Sequence, residues 1–159
     1  MHTLTETAGL SKGETYAELA AQLRALVEGE EDFIANAANF SSLIFYSLPE
    51  LNWAGLYLLK GGELVLGPFQ GKPACVRIAL GSGVCGTAAA ERRTVVVPNV
   101  HEFPGHIACD SASNSEVVVP LLKGEELLGV LDLDSPSVGR FDEDDAKGLE
   151  ELARVFLRI

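Results

Sequence analysis

Residues 52–66 read NWAGLYLLKGGELVL, a stretch that decides the fold class. Over residues 52–60 the side chains alternate with a period of two, which is typical of a β-strand. The Gly61-Gly62 pair is a strong turn signal, and residues 64–66 supply the returning strand of a hairpin. The alternation also predicts a strand face that carries Trp53, Gly55, Tyr57 and Leu59.

Further strands extend this hairpin into a sheet. Residues 117–122 and 126–133 are predicted strands joined at Lys123-Gly124, and shorter strands are predicted over residues 76–80 and 94–97. Because consecutive strands join mostly through tight turns, we expect a largely antiparallel sheet of about six strands.

Helical patterns flank these strands. Apolar residues at three- and four-residue steps predict helices over residues 14–28 and 32–48, and a closing helix after the N-cap Asp142. A short helix over residues 83–92 has Ser82 as its expected N-cap. The apolar stripes of the terminal helices must cover one sheet face, so the short helix, the loops and a pocket are left for the other.

The domain organisation follows from these elements. We expect an α+β fold with a single domain over residues 14–159 and a mobile N-terminal tail over residues 1–13.

The composition and the absence of targeting segments argue against several classes of function. The chain has 159 residues and a formal net charge of -11 without a basic patch, which disfavours nucleic-acid binding. Since neither a membrane-length apolar run nor a secretory signal is present, we expect a cytoplasmic protein without membrane association.

Three cysteines, Cys75, Cys85 and Cys109, are either packing residues or redox-active thiols, because an odd count without a C-x-x-C pair suits no disulfide framework or zinc ribbon. Cys85 lies in the first turn of a predicted helix, where the helix dipole favours the thiolate. This position by itself predicts that Cys85 is the reactive thiol. Cys109 lies in a long polar loop over residues 98–115, where a thiol is accessible.

Acidic residues are expected to converge near one end of the sheet. Asp132 and Asp134 share a predicted strand face with Leu128 and Val130, and Glu116 begins the preceding strand. Converging carboxyl groups raise one another's pKa and can hold a proton for donation near neutral pH. The alternative is a strand end that leaves the sheet for solvent. On the strand over residues 52–60, the gap at Gly55 could admit a small ligand, unless its flanking aromatics are ordinary core residues.

Two other patterns carry less information. His101, His106 and Cys109 could bind a metal, but zinc usually takes four well-spaced ligands; His106 and Cys109 could also form a base–nucleophile pair, but no third residue supports it. The glycine-rich sequence GSGVCGT (residues 81–87) leads into a helix and could bind an anion through backbone amides. Without the lysine of a phosphate loop, it suits a carboxylate as well as a phosphate.

Five motifs together resemble one family. In order, NWAGLYLL (52–59), GPFQGKPACVRI (67–78), GVCGTA (83–88), HIACDSASNSE (106–116) and GVLDLDS (129–135) are similar to the free methionine-(R)-sulfoxide reductases, a GAF-domain family. The resemblance runs from about Tyr16 to the end of the chain. It implies a GAF-type fold and reduction of free methionine-(R)-sulfoxide without cofactor or metal.

The resemblance also implies roles for the cysteines. Cys109 is the expected nucleophile, which attacks the sulfoxide sulfur, releases methionine and becomes a sulfenic acid. Cys75 then resolves it to a disulfide, with Cys85 as an alternative partner, and thioredoxin reduces that disulfide. We therefore follow the family resemblance, which makes Cys109 the nucleophile, rather than the helix-dipole argument for Cys85. A homodimer is a further implication.

Binding and proton-transfer roles follow in the same way. Glu116 and Asp134 match positions beside the sulfoxide oxygen, where a shared proton helps that oxygen to leave as water. Asp132 matches an acid near the substrate ammonium, and Trp53 and Tyr57 match the pocket walls. Backbone amides before Cys109 are expected to bind the substrate carboxylate.

Two other classes remain as alternatives. A GAF sensory module would bind a small effector without catalysis on the same fold, although it needs no three cysteines around its pocket. In a structural or adaptor domain the cysteines would be inert, and blocking all thiols would leave its function intact.

Overall fold

The computed structural model describes residues 2–107, 109 and 111–159. Within them, the helices and strands follow the order that the sequence predicts. In chain order they are α1 (Lys12–Val27), α2 (Phe33–Ser47), β1 (Trp53–Lys60), β2 (Glu63–Gly71), β3 (Arg77–Ala79), α3 (Gly83–Glu91), β4 (Val95–Val97), β5 (Ser115–Lys123), β6 (Glu126–Ser135) and α4 (Glu143–Leu157). A 3-10 helix, Val100–Glu102, lies within the long polar loop before β5.

The six strands form one sheet in the order β3-β2-β1-β6-β5-β4, and every neighbouring pair is antiparallel. Helices α1, α2 and α4 cover one face, where Leu19, Phe40 and Leu149 are fully buried against Leu56 and Leu131 of the sheet. Helix α3 packs on the opposite face. The predicted α+β architecture, with the short helix alone on the second face, is confirmed.

Helix ends are fixed by local hydrogen bonds. A capping box between Ser11 and Glu14 starts α1 at Lys12, two residues before the predicted start at residue 14, and Asp142 caps α4 as predicted. Ser82 occupies the N-cap position of α3, but its side chain makes no capping hydrogen bond. The predicted N-cap position is therefore confirmed, but the expected capping hydrogen bond is absent, and Ser82 lines the pocket described below.

Two strands depart from the simple alternation. Strand β2 runs to Gly71, well beyond the predicted residues 64–66, because an irregularity opposite residues 55–57 accommodates Gly67-Pro68 within the pairing. A second irregularity, opposite Leu121 and Leu122, changes the face of Leu128. Leu128 packs against the helix-covered core rather than beside Val130, so the predicted four-residue face of β6 is wrong at this position.

Among the described residues, no helix combines the length and the hydrophobicity that a membrane span requires.

Candidate active site

A cleft opens on the α3 face of the sheet. Its lining brings together seven of the eight residues to which the family resemblance assigns roles, namely Trp53, Tyr57, Cys85, Cys109, Glu116, Asp132 and Asp134. The eighth, Cys75, is bonded to Cys109. Residues from α3, β1, β5, β6 and two loops therefore meet at one pocket.

Strand β1 supplies an aromatic wall. The Trp53 ring stacks on Phe69, with ring centroids 5.2 Å apart, and on Tyr57, with centroids 5.8 Å apart. The indole N–H of Trp53 also donates to the carbonyl of Lys72 at 3.1 Å. Stacking and this hydrogen bond together fix the orientation of the indole.

Gly55 does not provide a gap for a ligand. A Cβ at this position would lie 2.3 Å from Cβ of Phe69 and 2.8 Å from the Trp53 ring, so protein side chains already fill the space. The predicted ligand gap is therefore wrong, and the glycine instead permits the close stacking of the two rings.

Replacing Gly55 with alanine is expected to lower the free energy of unfolding by about 1–3 kcal/mol, because the added methyl overpacks the stack. Denaturant titration measures this loss. Gly13→Ala is the matched control, because nothing lies within 4 Å of its added Cβ. A Gly55→Ala protein as stable as the Gly13→Ala protein would contradict the packing account.

A disulfide joins Cys75, which follows β2, to Cys109 in the long loop, with their Cα atoms 5.6 Å apart. The Tyr57 hydroxyl donates to the Cys75 carbonyl at 2.8 Å. Tyr57 thus links the sheet to the loop that carries Cys75. Burial and the nearby Asp132 raise the pKa of Tyr57, so its hydroxyl remains a hydrogen-bond donor at neutral pH.

Cys85 lies in an environment that opposes the thiolate. Its side chain is buried, and its thiol lies 3.9 Å from Oε1 of Glu116. Burial raises the pKa of the Cys85 thiol, and the neighbouring carboxyl groups of Asp132 and Glu116 raise it further. The dipole-based expectation of a Cys85 thiolate is therefore wrong, because desolvation and three nearby acids outweigh a helix terminus.

The three acids converge as the sequence suggests. In the pairing of β5 with β6, Glu116 lies directly opposite Asp134, and Asp132 lies on the same face two residues before it. Glu116 and Asp132 are buried, and Asp134 is half-buried. Strand β6 continues to Ser135, so the alternative of a strand end that leaves for solvent does not apply.

Burial also controls the protons of this cluster. It raises the pKa of Glu116, with Asp132 and Asp134 raising it further, and it raises the pKa of Asp132 to about 6. Burial thus favours the protonated, neutral form of Glu116. The cluster can therefore carry a proton for transfer as a neutral carboxylic acid, rather than as a positively charged donor.

His106 approaches this acid, with Nε2 3.8 Å from Oε2 of Glu116. Burial and the nearby His101 lower the pKa of His106, which disfavours an ion pair between its imidazole and Glu116. The His101 ring lies 3.0 Å from Oδ1 of Asn114, is exposed and does not line the pocket. The trio of His101, His106 and Cys109 therefore does not converge on the pocket.

The chain resembles known proteins along nearly its whole length. The GAF domain family matches residues 15–156. The free methionine-R-sulfoxide reductase of Escherichia coli is 52% identical over 143 residues, which cover 90% of this chain and 87% of that protein. The chain belongs to the free methionine-R-sulfoxide reductase family. Its match to the GAF domain agrees with the six-stranded antiparallel sheet.

Solved structures support this family membership. A free methionine-R-sulfoxide reductase from Neisseria meningitidis, solved in complex with its substrate, is 44% identical with a TM-score of 0.94, covering 99% of this chain and 95% of that one. A protein from Burkholderia vietnamiensis, described as a candidate GAF sensor, is 65% identical with a TM-score of 0.89, covering 92% of this chain and 93% of that one.

This member of the reductase family has pocket residues that sequence reasoning missed. Lys72, Ile107 and Ser113 line the cleft, and the Ser113 hydroxyl accepts a hydrogen bond from the Asn52 side chain at 3.0 Å. Nothing in the pattern distinguished these residues, because each lies in a loop whose path depends on the tertiary fold. The predicted carboxylate-binding amides before Cys109 include that of Ala108, which lies outside the described residues.

Proposed function

We propose that this protein reduces free L-methionine-(R)-sulfoxide to L-methionine through a cysteine sulfenic acid and an intramolecular disulfide. The observation that carries the proposal is the Cys75–Cys109 disulfide, which borders a pocket containing three convergent carboxyl groups. Reduction of a sulfoxide requires thiols that can be oxidised and an acid that can protonate the departing oxygen. Membership of the reductase family supports the same substrate.

The cysteine steps balance in atoms and electrons. The sulfur of Cys109 attacks the sulfoxide, the sulfoxide oxygen ends on Cys109 as a sulfenic acid, and methionine is released. The Cys75 thiol then displaces that oxygen as water and forms the disulfide. The sulfoxide sulfur gains two electrons, and the two cysteines together lose two.

Protonation of the sulfoxide oxygen is the task of the acid cluster. Burial beside Asp132 and Asp134 raises the pKa of Glu116, which favours its protonated form. Proton transfer from a positioned acid contributes about 10²–10⁴-fold to a rate. Asp134, opposite Glu116 in the sheet, is proposed to share that proton.

The remaining groups suit a free amino acid. Asp132 is proposed to face the substrate ammonium, and the Trp53–Tyr57 wall to enclose the methyl end. Ser82 and Gly83, at the start of α3, line the pocket and offer a second candidate site for the carboxylate. A peptide-bound residue lacks both terminal charges, so it would lose both anchors.

Turnover requires reduction of the disulfide, and we propose thioredoxin as the reductant through thiol–disulfide exchange. Such a cycle suits a reducing compartment, and we propose the cytoplasm. A homodimer is proposed from the family resemblance, and light scattering of the purified protein tests it.

The proposed reaction is tested by coupled NADPH consumption with thioredoxin and thioredoxin reductase. We expect turnover on free L-methionine-(R)-sulfoxide and none on its S epimer or on the N-acetylated R form, because the pocket binds one geometry and a free ammonium group. Lack of turnover on all three substrates would overturn the enzyme assignment and favour a ligand-binding sensor. Equal turnover on the N-acetylated form would contradict the ammonium anchor at Asp132.

A further inference from the structure

Three ligand groups, one thiol and two carboxyl groups, meet at the floor of the pocket. The thiol of Cys85 and carboxylate oxygens of Glu116 and Asp132 all lie within 4.8 Å of one another. The three side chains are between 4% and 6% exposed and come from α3, β5 and β6, so the fold itself fixes their meeting point. His106 adds an imidazole nitrogen 3.8 Å from Glu116.

This donor set fits a thiophilic divalent cation. Ligand atoms around a tetrahedral zinc ion lie roughly 3.3–3.8 Å apart, given its usual bond lengths to sulfur and oxygen. The distance between Sγ of Cys85 and Oε1 of Glu116 is 3.9 Å, close to that spacing. A thiolate with an imidazole and carboxylates selects zinc over magnesium or calcium, which prefer oxygen ligands alone.

One oxygen of the Asp132 carboxyl group provides a second observation at this point. Oδ1 of Asp132 is buried without a hydrogen-bond partner among the described residues, although its side chain is 5% exposed and lines the pocket. A buried carboxylate oxygen without a partner costs free energy. A cation at the pocket floor relieves that cost.

We propose that Cys85, Glu116 and Asp132 form a Zn²⁺ site whose occupation inhibits the protein, with the imidazole of His106 beside Glu116. The ion binds where the substrate ammonium is expected and displaces the protons of Cys85 and Glu116 to solvent, because metals bind the deprotonated ligands. The metal takes no part in the reaction. Binding is independent of the proposed function, whereas inhibition rests on it.

Metal binding is measured on the oxidised protein. With the Cys75–Cys109 disulfide formed, Cys85 is the one of the three cysteines that retains a thiol, so a thiolate signal comes from this site. We expect one Co²⁺ per chain, with a thiolate-to-cobalt charge-transfer band that Zn²⁺ abolishes and Mg²⁺ does not. Calorimetry is expected to show Zn²⁺ binding at least about tenfold weaker in Cys85→Ser and Asp132→Asn. Substitution of residues that merely contact a metal ligand already weakens binding by about that factor, so loss of a ligand itself should cost no less. Asp144→Asn, an exposed acid on α4, is the matched control with unchanged binding.

Absence of the charge-transfer band, or Zn²⁺ binding that neither substitution weakens, would overturn the site. Glu116→Gln keeps the side-chain volume and provides a third test if Cys85→Ser fails to fold by thermal denaturation.

Inhibition is measured as methionine release in a single turnover by pre-reduced protein, with free thiols removed because they chelate zinc. We expect Zn²⁺ to raise the substrate concentration needed for half-maximal release, and to do so less in Cys85→Ser. Zinc binding without this effect would overturn the inhibitory role. A protein that binds cobalt but releases no methionine without metal would contradict the proposed function and leave the metal site standing.

Discussion

Cys109→Ser is expected to abolish reduction of free methionine-(R)-sulfoxide, with turnover reduced to background in the coupled assay. A serine hydroxyl is a far weaker nucleophile toward sulfur, and it cannot form a sulfenic acid or a disulfide. The substrate should still bind, because the aromatic wall and the acids do not depend on Sγ of Cys109. Calorimetry of substrate binding to this variant distinguishes lost chemistry from a lost pocket.

The other two cysteines serve as comparisons for this result. We expect Cys75→Ser to release one methionine per chain and then stop, leaving a sulfenic acid that dimedone traps at Cys109. Cys85→Ser should keep the disulfide step, since the Cys85 thiol is buried against Glu116 while Cys75 is bonded to Cys109. If Cys85→Ser instead stopped after one methionine, Cys85 would be the resolving residue.

Glu116→Gln is expected to lower kcat for the release of methionine by about 10²–10⁴-fold, the contribution of a positioned general acid. The amide preserves the shape of the side chain and can donate a hydrogen bond, but it cannot transfer a proton to the sulfoxide oxygen. Single-turnover methionine release, which omits the recycling step, measures this effect directly.

Glu125→Gln is the matched control for that substitution, because Glu125 is exposed in the β5–β6 turn far along the hairpin from the pocket. We expect its rate to equal that of the unmodified protein. A Glu116→Gln rate within about threefold of this control would contradict an acid role for Glu116, since general acid catalysis is worth at least two orders of magnitude.

Much of the fold could be predicted because each element carries its own local signal. The Gly61-Gly62 turn and the apolar stripes of the terminal helices determine the hairpin and the helix-covered face without reference to distant residues. The position of Leu128 could not be predicted, because an irregularity in the β5–β6 pairing shifts the alternation and single-sequence patterns do not reveal such bulges.

The candidate site, like the fold, could be predicted from the sequence only in part. Alternation on β6 and the start of β5 predicted that Glu116, Asp132 and Asp134 would converge, since antiparallel pairing brings the end of one strand to the start of the other. The environment of Cys85 was mispredicted from its helix position alone. Desolvation depends on which side chains surround the thiol, and here those are acids from two strands distant in sequence.

The most direct test of the central claim is a single turnover of the fully reduced protein with one equivalent of free methionine-(R)-sulfoxide, followed by alkylation of free thiols and mass spectrometry of the digested chain. We predict one methionine released per Cys75–Cys109 disulfide formed, with Cys85 recovered in its alkylated form. Release of methionine without that disulfide, or with Cys85 in the bridge in its place, would contradict the account.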